Sequence, residues 1–147
     1  MERTVRIFIF FCFAFLFADI GAYAGEADAI LGKWFTDGKE SVVEIYKCDG
    51  SICGKIVWLK EPKNEDGTDK VDAENPEESR RKDKIIGLNI VRDFKYEGEN
   101  KWTEGKIYDP ENGKTYSCKM KLDGNKLNVR GYIGISFLGR TTVWTKK

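Results

Sequence analysis

From Lys33 to the end of the chain, apolar and polar residues alternate with a period of two, and turn residues break the alternation at short intervals. That pattern is the signature of half-buried strands. The runs Lys33 to Thr36, Ser41 to Lys47, Ile52 to Leu59, Ile85 to Phe94, Lys101 to Asp109, Thr115 to Leu122, Lys126 to Ile133 and Leu138 to Lys146 read as eight strands. Asp37-Gly38, Asp49-Gly50, Asn112-Gly113 and Asp123-Gly124 separate several of them, and Asn-Gly and Asp-Gly are strong hairpin signals. Every link except one is short enough to join antiparallel neighbours. The sequence therefore predicts an all-β domain over residues 25–147: an eight-stranded antiparallel up-and-down barrel, which removes exposed strand edges by closing on itself. A two-sheet sandwich fits the sequential hairpins less well. A barrel of this strand number is nearly filled by its own side chains or holds one small ligand.

The long link, residues 60–84, is almost wholly polar. Within it Asn75-Pro76-Glu77-Glu78 reads as the start of a short helix, with an Asn cap, Pro at the first helical position and acids in the first turn. Arg80, Arg81 and Lys82 suit its C-terminal end. Two readings stand side by side: a solvated insertion, or a lid over one end of the barrel with Asp72, Asn75 and Arg80 as its anchoring residues.

Ahead of the strands lies a different kind of sequence. The chain is 41% hydrophobic over 147 residues, but six of its nine Phe fall within residues 1–24. Arg3 and Arg6 precede an unbroken apolar run from Ile7 to Phe17, and Ala22-Tyr23-Ala24 ends the segment with small residues at both positions that signal peptidase reads. The run is well short of the ~20 residues that span a bilayer. Residues 1–24 are therefore expected to be a signal peptide, with cleavage before Gly25 and a periplasmic or secreted product. Its removal leaves Cys48, Cys53 and Cys118. Export permits a disulfide, and Cys48 and Cys53 flank a turn that brings them within bridging range. Cys118 alternates with apolar residues and is expected to be a buried thiol.

The chain contains no histidine. That excludes Ser-His-Asp and Cys-His catalysis, His-ligated zinc and haem, and an imidazole switch. Glu44, Asp93 and Glu104 could in principle supply paired carboxylates, but no motif selects a pair. A net charge of +1 with interleaved signs gives no nucleic-acid footprint. The expectation is a monomeric, non-catalytic protein without cofactor or metal. Its candidate ligand-binding residues come from strands whose core face carries aromatic and charged side chains. Trp102, Glu104 and Tyr108 share one face of their strand, Arg130 and Tyr132 lie together on theirs, and Arg140 and Trp144 share a face of the last. A small amphipathic or lipid-like molecule fits a lumen of that character. Two alternatives remain open. One is an envelope interaction module or inhibitor acting through residues 60–84. The other is a structural network in which Arg130, Tyr132, Arg140, Asp72, Asn75 and Arg80 close one barrel end.

Two resemblances bear on this. Gly32-Lys33-Trp34 opens the first strand as Gly-x-Trp opens lipocalin-type barrels. There an Arg of the last strand stacks on that Trp, which implies such a role for Arg140, with Lys146 the lesser candidate. The chain as a whole resembles the small exported bacterial proteins grouped as domain of unknown function 2147. The carriers are Gly32-x-Trp34, Cys48 with Cys53-Gly54-Lys55-Ile56-Val57-Trp58-Leu59, Asp72-x-x-Asn75-Pro76 with Arg80, Gly87, Trp102, Gly105-x-Ile107-Tyr108-Asp109-Pro110, Gly113-Lys114-x-Tyr116, Arg130-Gly131-Tyr132, Leu138-Gly139-Arg140 and Trp144-Thr145. Lys146 departs from the Arg common at that place. The resemblance implies export and a compact β fold, and it transfers no catalytic residue.

Overall fold

The computed structural model describes residues 25–147; the expected signal peptide, residues 1–24, lies outside the described residues. Eight strands follow one another: β1 Gly32–Phe35, β2 Ser41–Cys48, β3 Ser51–Leu59, β4 Asn89–Gly98, β5 Lys101–Asp109, β6 Lys114–Asp123, β7 Lys126–Tyr132 and β8 Arg140–Lys146. Each pairs antiparallel with the next, and β8 returns to β1, so the sheet is a closed up-and-down barrel. The first and last strands meet through only two residue pairs, Trp34 with Lys146 and Phe35 with Thr145.

Alternate residues point inward, as the period requires. The registers align Trp102, Met120, Val129 and Thr142 in one row around the barrel, and Gly105, Cys118, Gly131 and Arg140 in another. Large side chains fill one end of the barrel. Trp34, Trp102, Phe94, Met120 and Leu127 are all buried there, with Cys118 among them. The ring of Phe94 occupies the place a side chain at position 105 would take: a Cβ on Gly105 would stand 2.2 Å from it.

The same end carries a plug the strand pattern did not reveal. Residues 25–31 fold across it, with Ile30 fully buried. The Trp34 indole donates to the Ile30 carbonyl at 2.8 Å, and the Trp102 indole donates to the Ala27 carbonyl at 3.1 Å. Lys146 completes the closure. Its Nζ donates to the Leu31 carbonyl at 2.7 Å and lies 4.4 Å from the centre of the Trp34 ring. Burial lowers its pKa. Gly32 makes this possible: its φ of +111° is a backbone state that side chains rarely adopt, and a Cβ there would sit 3.3 Å from the ammonium. The cation over Trp34 is thus Lys146, and the expectation of Arg140 is corrected. Arg140 lies at the other end of β8, in register with Gly131, while Lys146 is the residue paired with Trp34.

Three further expectations shift. The strand expected from Ile85 begins at Asn89, because Ile85 to Leu88 form a turn in which the Leu88 N–H bonds the Ile85 carbonyl; Ile85 and Leu88 are nevertheless buried. The last strand begins at Arg140 rather than Leu138, since Ser136–Leu138 form a 3-10 turn. The helix expected to start at Asn75 is a 3-10 turn over Glu78–Arg80. Asn75 accepts the Glu77 N–H, but its amide is drawn inward onto Asp72, and that commitment prevents a regular cap. The bridge between Cys48 and Cys53 is present, with the Cα atoms 5.9 Å apart across the Asp49-Gly50 turn.

Candidate functional site

The end opposite the plug is open. Four connections surround it: residues 36–40 between β1 and β2, residues 60–88 between β3 and β4, the turn 110–113 between β5 and β6, and residues 133–139 between β7 and β8. Beneath them the barrel holds a cavity of 1150 Å³. Its inner wall is apolar, formed by Ile56, Ile90, Ile107, Val129 and Trp144, while Arg140, Thr142, Tyr116, Asp109 and Lys70 bring polar atoms nearer the mouth. The combination suits a ligand with an apolar body and a polar end.

The long segment crosses this mouth and is strapped to it. Asp72 is fully buried and anchors the strap. One carboxylate oxygen accepts the Tyr108 hydroxyl at 2.8 Å; the other accepts the Asn75 amide at 2.6 Å. A buried carboxylate is costly unless its oxygens are hydrogen-bonded, and both are. Burial, together with the bond to Asp72, pushes the Tyr108 hydroxyl up to about 12. The segment also packs on the β5–β6 turn. Gly113 has φ +68°, and a Cβ there would fall 1.9 Å from the Glu74 carbonyl oxygen, so only glycine allows the two backbones to meet. Farther out, hydrogen bonds from Lys63 and Lys84 hold Asp69 down at about 2. Arg80 pairs with Asp83 at 3.1 Å.

The candidate residues separate into distinct places. Tyr108, Arg140 and Trp144 line the cavity. Trp102 is buried at the plugged end instead. Glu104 faces outward and pairs with Lys95 at 2.8 Å, which corrects its placement beside Trp102 and Tyr108. The cause is a bulge: the β5–β6 register shifts between Trp102 and Gly105, and Glu104 has φ +59°. After that extra residue the inward set becomes Gly105 and Ile107. Arg130 is committed to the β7–β8 connection. Its guanidinium donates to the Ser136 carbonyl at 2.8 Å, the Phe137 carbonyl at 3.0 Å and the Thr141 hydroxyl at 2.8 Å. Tyr132, half-buried beside it, is not among the cavity-lining residues. The expected single network of Arg130, Tyr132, Arg140, Asp72, Asn75 and Arg80 does not form: Asp72 bonds Asn75 and Tyr108, Arg130 holds the β7–β8 connection, and Arg80 pairs with Asp83. Sequence reasoning missed Ile56, Ile90 and Ile107 as the cavity wall. Their alternation was visible, but which barrel end stays unfilled depends on the plug.

Cys118 shows no sign of reactivity. It is fully buried, and burial pushes its thiol up to about 12. Among the described residues, no group of three Cys, Asp or Glu side chains is placed to hold a metal ion.

Comparison with known proteins agrees with this architecture. A solved protein from the human pathogen Helicobacter pylori, described as belonging to the lipocalin family, superposes with a TM-score of 0.69 at 24% identity over 80% of this chain and 82% of its own. No curated protein matches the chain. Residues 32–146 match the bacterial family described as "Uncharacterized protein conserved in bacteria (DUF2147)". That span runs from the glycine under Lys146 to Lys146 itself, the whole circumference of the barrel, and the chain belongs to this family.

Proposed function

We propose that the protein is an exported, non-catalytic binding protein of the bacterial envelope whose barrel holds a small amphipathic or lipid-like molecule. The cavity carries the reading: 1150 Å³, apolar within, polar at the mouth and open at one end only. Small-molecule sites have this character and this order of volume. The lipocalin-like fold supports it, since such barrels enclose one small ligand. The Asp72 strap supports residues 60–84 as a lid, because a segment fixed to the barrel wall is ill-suited to act as a free arm for a protein partner. The signal-like residues 1–24 support export, with cleavage before Gly25.

Native mass spectrometry of protein purified from a bacterial envelope fraction tests the proposal. The expected result is an additional mass released by organic solvent from the wild type. Thr142→Trp, which faces the cavity in register with Val129, should abolish it by filling the space. A wild-type protein that is ligand-free and takes up no fatty acid or lysophospholipid when challenged would sink the reading.

A further inference from the structure

The β7–β8 connection at the cavity mouth presents apolar side chains to solvent. Ile133 is 72% exposed, Ile135 62%, Phe137 84% and Leu138 75%. Four of six consecutive positions are thus large, apolar and exposed, a concentration that in a stable protein marks a contact surface. The tip is held in shape by bonds to its backbone. Arg130 clasps two of its carbonyls, and the Lys119 ammonium lies 3.2 Å from the Ser136 hydroxyl. The patch is thus displayed by design of the fold and not by looseness.

Cations gather on the outer wall beneath the tip, and β7 and β8 carry no acid. Lys106, Lys119 and Arg130, all on the outward face of their strands, are in no ion pair among the described residues, in a protein where ten other pairs form. Lys119 and Arg130 are cross-strand neighbours, and Lys106 reaches Ser117 on the adjoining strand. The result is a collar of unneutralised cations on the outer wall below an apolar tip. The acids of the mouth, Asp37, Glu61 and Glu111 among them, are exposed on the other three connections that surround the cavity.

We propose that this tip docks on an anionic lipid surface, with Phe137 and its apolar neighbours reaching the boundary between headgroups and acyl chains and the basic collar meeting the phosphates. Apolar tips with flanking cations bind membranes in this way, by burial plus attraction to anionic headgroups. The contact assigned here is a surface one, made by the tip and the collar beside it. Because the tip borders the cavity, docking would open the site directly onto the bilayer. The inference goes beyond the ligand reading and stands on separate observations.

The test uses the full chain carrying Cys12→Ser, with an environment-sensitive nitrobenzoxadiazole fluorophore on Ile135→Cys, so that the signal is local to the tip whatever residues 1–24 contribute. Vesicles of mixed phosphatidylethanolamine and phosphatidylglycerol should shift the emission to the blue, and phosphatidylcholine vesicles should do so weakly. Phe137→Ser with Leu138→Ser should lower the partition coefficient about tenfold or more. Lys106→Gln with Lys119→Gln should lower it about twenty-five-fold on the anionic vesicles alone, at about fivefold per cation. An unshifted emission overturns the proposal. So does a dimer in sedimentation that the double serine variant dissolves while vesicles leave the fluorophore silent, since the patch then covers a second copy. Docking by a chain whose cavity takes up nothing keeps this inference and removes the ligand reading; uptake from detergent solution with a silent tip does the reverse.

Discussion

Replacing Tyr108 with Phe removes one hydroxyl from the strap over the cavity and nothing else of consequence. That hydroxyl donates at 2.8 Å to Asp72, a carboxylate with no exposure to water. Hydrogen bonds to charged groups contribute about 1.5–3 kcal/mol. At about 2 kcal/mol the loss corresponds to a Tm lowered by roughly 8 °C for a domain of this size. Burial first, and the bond to Asp72 second, raise the hydroxyl from its ordinary value near 10 to about 12. The pH dependence has a definite sign. The folded protein holds the phenol protonated above its unfolded pKa, so the wild type keeps the full advantage below pH 10 and loses it between pH 10 and about 12. Thermal melts of both proteins by near-ultraviolet circular dichroism, at neutral pH and in steps toward pH 11.5, read the difference. Hydrogen exchange at the Asp72 and Ile85 amides, which bond to Asp83 and Lys70 within the segment, reads the strap itself. A Tm difference under about 2 °C with unchanged exchange would refute the reasoning.

Gly113→Ala should displace residues 72–75 from the β5–β6 turn, because the Cβ has no room against Glu74; the expected loss is about 1–3 kcal/mol in denaturant titration, with faster proteolysis within residues 60–84. Replacing both Cys48 and Cys53 by Ser should cost about 2 kcal/mol and leave the barrel circular dichroism intact, because the bridge closes a very short loop. Cys118 should resist a thiol reagent at pH 8 in the native protein and react fully in denaturant; rapid reaction of the folded chain would contradict its burial.

The strands were legible because each carries alternation bounded by turn residues, and β5 matches its expected span from Lys101 to Asp109. The faces of that same strand were not legible. A single bulge at Glu104 reverses the parity of everything after it, and a period-two pattern cannot register one inserted residue. Lys146 over Trp34 was hidden for a related reason: the stacking partner depends on the register of the closing pair, which spans the whole chain. Asp72, Asn75 and Arg80 were singled out from one polar segment, yet only Asp72 and Asn75 bond each other. Their joint partner, Tyr108, lies far along the chain and was grouped with Trp102 instead. The plug at residues 25–31 left only a brief apolar signal, Ala29-Ile30-Leu31, too short to distinguish from a linker.

The seam between β1 and β8 has a consequence for how the chain folds. Seven of the eight pairings join neighbours in sequence and can form as successive hairpins. The eighth joins residues more than a hundred positions apart through two residue pairs, with Lys146 clamped on Leu31 and Trp34 as its fastening. Loop-closure entropy places that contact late, after the meander has brought its ends together. The seam is correspondingly where the cylinder should open first. Amides of Phe35 and Lys147, the latter bonded to the Lys33 carbonyl across the seam, are expected to exchange ahead of those in β5 and β6, and a Lys146→Met variant should speed unfolding far more than it slows folding.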